Sequence, residues 1–154
     1  MISKIVKKIL FNIISLSLLG CGFEVLHESK LKNYSIKQIN TEGNKRIGQK
    51  IKNDLLALSV DTSADELLID IETKKLKTVK EKNIKNEITK YQIDLNIKVT
   101  YNFIGSEKKD KISNYSVTGD YTVSNIHSES IIKEKRLINN LIDKLSKMII
   151  SEIT

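Results

Sequence analysis

Few side chains in this sequence are of types that do chemistry, and their spacing narrows the options at once. The chain has one Cys, Cys21, and two His, His27 and His127, far apart. A single thiol forms no intramolecular disulfide and no Cys-cluster zinc or iron–sulfur site. Neither His has a second His at metal-ligand spacing, and a catalytic imidazole needs a nucleophile and an orienting acid that the linear sequence does not supply. Asp70 and Glu72 fall on one strand face, yet beside Lys74, Lys75 and Lys77 they read as a solvated surface rather than an acid–base pair. There is no Gly-rich phosphate loop, no Gly-x-Ser-x-Gly, no His-Glu-x-x-His and no calcium loop. No enzyme activity and no cofactor are expected. The reactive group that stands out is the Cys21 thiol, placed directly after the small Gly20. The other lead is a set of lysines, Lys74 to Lys90 and then Lys108, Lys109 and Lys111, able to act as multivalent point charges toward phosphates or carboxylates.

The residues ahead of Cys21 explain its position. Lys4, Lys7 and Lys8 give a cationic start without an acid, and Ile9 to Leu19 is an apolar stretch interrupted only by Asn12, Ser15 and Ser17. As a helix, those eleven residues span about 16 Å, roughly half of the ~30 Å of a bilayer core. Residues 1–20 thus have the size and flanks of a secretory signal. Leu18-Leu19-Gly20-Cys21 resembles the lipobox of bacterial lipoproteins. That resemblance implies alkylation of the thiol by a diacylglycerol and cleavage before the modified Cys, where a small residue lets the backbone fit. The mature chain would begin at a lipidated Cys21 with more than one acyl chain, enough for stable anchoring. Gly22, standing where an Asp would favour retention at the inner membrane, points to the outer membrane.

Charge then reads differently. The whole chain carries 26 Lys and Arg against 19 Asp and Glu, a net +7. A basic balance of this kind ordinarily raises nucleic acid as a partner. Loss of Lys4, Lys7 and Lys8 with the leader lowers the net charge from +7 to +4, and export argues against nucleic acid.

The elements that must carry these residues follow from periodicity. Residues 21–33, short of periodicity, read as a tether, with Cys21 the lipidated N-terminus that the lipobox resemblance implies, and residues 34–154 read as one domain. Tyr34 to Thr41 reads as a strand ended by Gly43-Asn44. Ile47, Ile51, Leu55 and Leu58 lie on one face of a helix. Leu67 to Val79 alternates imperfectly, and Lys80 to Glu87 reads as a charged connection. From Tyr91 to Phe103 the odd positions are apolar and the even positions polar, a half-buried strand. A polar connection over Gly105 to Asp110 leads to Tyr115, Val117, Gly119, Tyr121 and Val123. His127 falls in the connection to a long terminal helix over about 129–152, striped by Ile138, Leu141, Ile142, Leu145 and Ile149. The order β-α-β-β-β-α gives an α+β two-layer sandwich, with two helices packed on one face of a four-stranded mixed sheet. Its first two strands are expected to be parallel and its hairpins antiparallel. The sheet face bearing Asp94, Asn96, Lys98 and Thr100 is expected to be wet.

On these residues the chain resembles the LPS-assembly lipoprotein family (LptE-like). Cys21-Gly22-Phe23-Glu24-Val25-Leu26-His27 is similar to the family's Cys-Gly-aromatic-x-Pro-Leu-Tyr start, with Val25 in place of Pro and His27 in place of Tyr. Ile47 to Leu55 resembles its first helix, Tyr91-Gln92 the pair opening its long third strand, and Tyr121 to Asn125 with the terminal helix its closing segment. The resemblance implies a protein of the outer membrane's inner leaflet that plugs and helps assemble a β-barrel LPS translocon (LptD-like) and assists lipopolysaccharide delivery. Position near the hairpin makes Lys82, Lys85 and Lys90 candidate lipopolysaccharide contacts. The competing reading is a lipoprotein of similar fold that binds another envelope component, peptidoglycan or protein.

Overall fold

The computed structural model describes residues 35–57, 59, 66–105 and 109–153. The leader, the tether and the lipobox residues Leu18, Leu19, Gly20 and Cys21 lie outside the described residues, as does Leu58. The elements run β1 (Ser35–Gly43), α1 (Lys45–Leu56), β2 (Glu66–Lys82), β3 (Ile88–Ile104), β4 (Lys111–Thr122) and α2 (His127–Ile153). The strands form one sheet in the order β1-β2-β3-β4. β1 pairs parallel to β2, whereas β2–β3 and β3–β4 are antiparallel, so the fold is the expected two-layer α+β sandwich.

Alternation places the core. Leu67, Ile69 and Ile71 of β2 and Ile93, Leu95, Ile97, Val99 and Tyr101 of β3 point to the helix layer and are buried. Each aliphatic side chain removed from water in this way contributes about 1.5–3 kcal/mol before chain entropy is counted. α1 meets them with Ile47, Ile51 and Leu55, and α2 with Ile138, Leu141, Ile142, Leu145 and Ile149. The helices are also joined by polar contacts, Ser146 Oγ donating to Asp54 Oδ2 at 2.7 Å and Lys50 pairing with Asp143. α2 comes close to β4 because Gly119 has no side chain: a Cβ there would lie 2.7 Å from Leu137 Cδ1.

The end of β1 is built as a unit. Gly43 adopts φ +84°, and a Cβ on it would fall 2.1 Å from the Thr73 carbonyl oxygen, so only glycine fits. The buried Thr73 hydroxyl donates to Glu42 O at 3.0 Å and accepts from Asn44 N–H at 2.8 Å. Asn44 then caps α1, its side chain accepting from Ile47 N–H at 3.2 Å.

Three sequence expectations move. β2 continues through Lys80–Lys82, which had read as a connection, and only Asn83–Glu87 turns. Antiparallel pairing to β3 carries the strand onward where its own sequence lacks apolar alternation. β4 begins at Lys111, four residues before the apolar pattern starts. His127 is the first residue of α2 rather than part of a connection.

Candidate functional site

Two surfaces present polar chemistry: the tip of the β2–β3 hairpin and the sheet face turned away from the helices. At the tip, Asn83 organises the turn. Its Oδ1 accepts from the N–H groups of Lys85 and Glu87, both at 2.9 Å, and its Nδ2 donates to Glu87 Oε2 at 2.7 Å. Asn86 takes the left-handed conformation, φ 63°, which Asn tolerates better than most residues.

This turn brings Lys82 and Lys85 together at one end of the sheet. Lys82 Nζ donates to Asn86 Oδ1 at 3.0 Å, and Lys85 is exposed. Lys90 lies deeper, where Glu81 holds it at 2.7 Å. The hydrogen bond to Glu81 pushes the Lys90 ammonium above its usual range, outweighing a small desolvation. Lys82 and Lys85 therefore offer charge without a carboxylate partner among the described residues, and Lys90 offers charge already shared.

The other lysines of β2 divide by face. Lys75 and Lys77 point to the helix side and share Glu134 of α2, at 3.8 Å and 2.6 Å. Lys77 also lies 4.3 Å from the centre of the Tyr91 ring, which stacks on Tyr121 at 5.7 Å, and Tyr121 donates its hydroxyl to Glu134 at 2.7 Å. Burial alone would lower Lys77 and raise Glu134. The hydrogen bonds of Lys77 and Tyr121 to Glu134 overcome it, leaving Lys77 raised and Glu134 lowered. The sequence placed Tyr91 and Tyr121 on one side of their strands, but only the fold shows Glu134 reaching across to Lys77. On the wet face, Lys80 pairs with Asp120. The lysines of β2 thus extend along the strand on both faces rather than gathering into one cluster.

The wet face itself is lined with amides, hydroxyls and mixed charge. Asp70 accepts from Asn40 at 2.8 Å and from Asn102 at 3.2 Å, Thr118 donates to Asp94 at 2.7 Å, and Lys74 pairs with Glu72 at 3.1 Å. Two open depressions of about 170 and 330 Å³ lie side by side there, with Glu72 and Lys98 lining both. Asp70 is held by two amides and Glu72 by a lysine, so both carboxylates form part of a hydrogen-bonding surface. Among the described residues no group of three or more His, Cys, Asp and Glu stands close enough to hold a metal. No described helix is long and apolar enough to cross a membrane.

No family model and no curated protein matches the sequence. Solved structures do match it. Rare lipoprotein B from Shewanella oneidensis superposes with a TM-score of 0.58 at 10% identity, covering 75% of this chain and 92% of that one. The fold is that of a lipoprotein B. An uncharacterized lipoprotein B from Nitrosomonas europaea agrees, with a TM-score of 0.56 at 9% identity over 76% of this chain and 79% of that one. At such identity the match shows shared architecture and assigns no individual residue.

Proposed function

We propose that the protein is an outer-membrane lipoprotein, anchored through a lipidated Cys21, that plugs and helps assemble the β-barrel LPS translocon and assists lipopolysaccharide delivery. The observation that carries this reading is a lipoprotein B fold on a chain whose only Cys follows Leu18-Leu19-Gly20 after a cationic and then apolar stretch. The chemistry is compatible. A barrel lumen is polar, and a plug should offer it hydrogen-bonding surface rather than an apolar patch. The wet sheet face, with Asn96, Lys98, Asn114 and Ser116 exposed, is of that kind. Lipid phosphates are anionic, which favours a contact role for Lys82 and Lys85, exposed at the hairpin end, and for Lys90 once it exchanges Glu81 for a phosphate.

Two substitutions test separate parts. Cys21→Ser should release the protein from the membrane fraction and abolish rescue of a depleted strain; unchanged fractionation and rescue would contradict the anchor. Lys82→Glu, Lys85→Glu and Lys90→Glu together should weaken lipopolysaccharide binding by at least about tenfold, three charge reversals at partly screened sites. Unaltered binding with an unaltered fold would remove these lysines from the site.

A further inference from the structure

The two borders of the sheet are finished differently. β1 carries Lys37 and Glu42 and a register shift between Ile36 and Gln38. The exposed half of β2 carries Lys74, Lys75, Lys77, Lys80 and Lys82 and register shifts after Val79. Charges and bulges of this kind keep a sheet edge from accepting another strand. β4, the opposite edge, has neither along most of its length. Ile112-Ser113-Asn114-Tyr115-Ser116-Val117-Thr118-Gly119 contains no charged residue and no proline, and it pairs with β3 without a register shift. That stretch spans about 24 Å at ~3.4 Å per residue, an ordinary strand length.

Hydrogen-bond alternation along β4 fixes which of its backbone groups face outward. Val123 N–H donates to Thr89 O at 2.9 Å, and Lys90 lies opposite Thr122. Bonded and non-bonded residues alternate in an antiparallel pair, so the odd-numbered residues of β4 bond to β3. The even-numbered Ile112, Asn114, Ser116 and Thr118 point their N–H and C=O groups away from it, and all four residues are exposed. Those backbone groups have no hydrogen-bond partner among the described residues. On the helix side, the Cβ that Gly119 lacks would lie 2.7 Å from Leu137 Cδ1 and 3.4 Å from Leu141 Cδ2, so this side of α2 stands over β4. Met148 recurs on the same side of the helix, and Leu137 and Met148 are only half-buried. α1 lies on the other side of α2, where Asp143 and Ser146 meet Lys50 and Asp54. The free edge therefore has an apolar shelf on its inner side and the polar Asn114, Ser116 and Thr118 on its outer side.

We propose that β4 is a docking edge, at which an extended segment of the barrel partner adds a fifth strand to the sheet. The segment is uncharged, because the edge offers no charge to pair with one. Its side chains alternate, with apolar residues under Leu137 and Met148 and small polar ones beside Asn114, Ser116 and Thr118. Asn114 and Ser116 also belong to the wet face offered to the barrel, so the added strand continues that surface. Strands closed into a barrel have no free edge, so the segment is a stretch of the same protein that turns into the lumen. The inference rests on the plug reading above and names one contact within it.

The test follows hydrogen exchange at single amides in two preparations of the full chain. One is the complex drawn with its barrel from mildly solubilised outer membranes, and the other is the chain alone in the same detergent. With the barrel, the N–H groups of Asn114, Ser116 and Thr118 should exchange at least about tenfold more slowly than in the chain alone. Those of Ser113, Tyr115 and Val117, bonded to β3, should be protected in both. Asn44 N–H donates to Thr73 O, so the N–H groups of Lys75 and Lys77 point off the other edge and should keep exchanging quickly. Ser116→Pro removes one outward donor at a position where an edge strand tolerates proline. It should keep a melting curve close to wild type and lower the barrel recovered by at least about fivefold. A complex in which the three β4 amides exchange as fast as in the chain alone, or full recovery of the barrel by a folded Ser116→Pro chain, would overturn the docking edge and leave the plug standing. Equal slowing at Lys75 and Lys77 would mark plain shielding from water and overturn the added strand. Slowing that arises in the chain alone as its concentration rises would assign the edge to a second copy and overturn the proposal. Absence of any barrel from the wild-type preparation would overturn the plug reading, and the docking edge with it.

Discussion

The two halves of β2 share one strand and one partner, β3, yet they live in different environments. From Glu66 to Thr73 residues alternate between half-buried and buried; from Lys74 to Lys82 every residue is exposed. The change falls where β1 stops, since Gly43 opposite Thr73 is the last β1–β2 pair and α1 starts immediately afterward. The first half therefore has a strand beside it and a helix above it, and its helix-facing residues Leu67, Ile69 and Ile71 are apolar and buried. The second half is a sheet edge, and Lys74, Lys75, Lys77, Lys80 and Lys82 keep that edge soluble and discourage pairing with a stray strand. One half holds the domain together and the other presents charge. A strand can do both because its neighbours, not its own backbone, decide which residues lose water.

That division is sharpest at the level of single apolar side chains. Ile69→Ala, at a fully buried site, should cost about 2–5 kcal/mol in denaturant unfolding, from lost burial plus the cavity left behind. Leu76→Ala, on the exposed half, should stay within about 0.5 kcal/mol. Comparable costs at the two positions would break the comparison. Next comes the boundary. Thr73→Val should cost about 1–3 kcal/mol, because the Glu42 carbonyl loses its donor and the Asn44 N–H is left only its long bond to the Thr73 carbonyl, at 3.3 Å. Loss of hydrogen-exchange protection should concentrate in β1 and the first turn of α1, sparing the hairpin.

A smaller cost than at Thr73 is expected where the exposed half is tied to α2. Glu134→Gln should cost about 1 kcal/mol at neutral pH, a value discounted for the partial exposure of Lys77. Glu134 is held below its usual range when folded, so its contribution is present above the ordinary carboxylate pKa and is lost as pH falls through the lower folded value. Stability of the two proteins should thus converge in acid, and a gap that stays constant down to about pH 2 would show that Glu134 does not act through its charge.

Much of this architecture was legible in the sequence. The strict alternation from Tyr91 to Phe103 marked β3, and the Ile138–Ile149 stripe marked α2, because each has one wet and one dry face along its whole length. The distal half of β2 was not legible as strand, since both its faces are wet and its register is borrowed from β3. Sheet order was likewise invisible, as pairing is a property of two segments and not of either alone. At the hairpin, Lys82 and Lys85 could be placed near the tip from the turn residues, but the capture of Lys90 by Glu81 depends on a bulge beyond Val79 that alternation does not announce.

The central claim is that the anchored domain works inside a barrel, and isolation of the protein from mildly solubilised outer membranes tests it most directly. The account predicts a stable, near-equimolar companion whose mass and heat-modifiable migration identify it as a large outer-membrane β-barrel. Recovery of the protein alone, or with peptidoglycan fragments and no barrel, would contradict it.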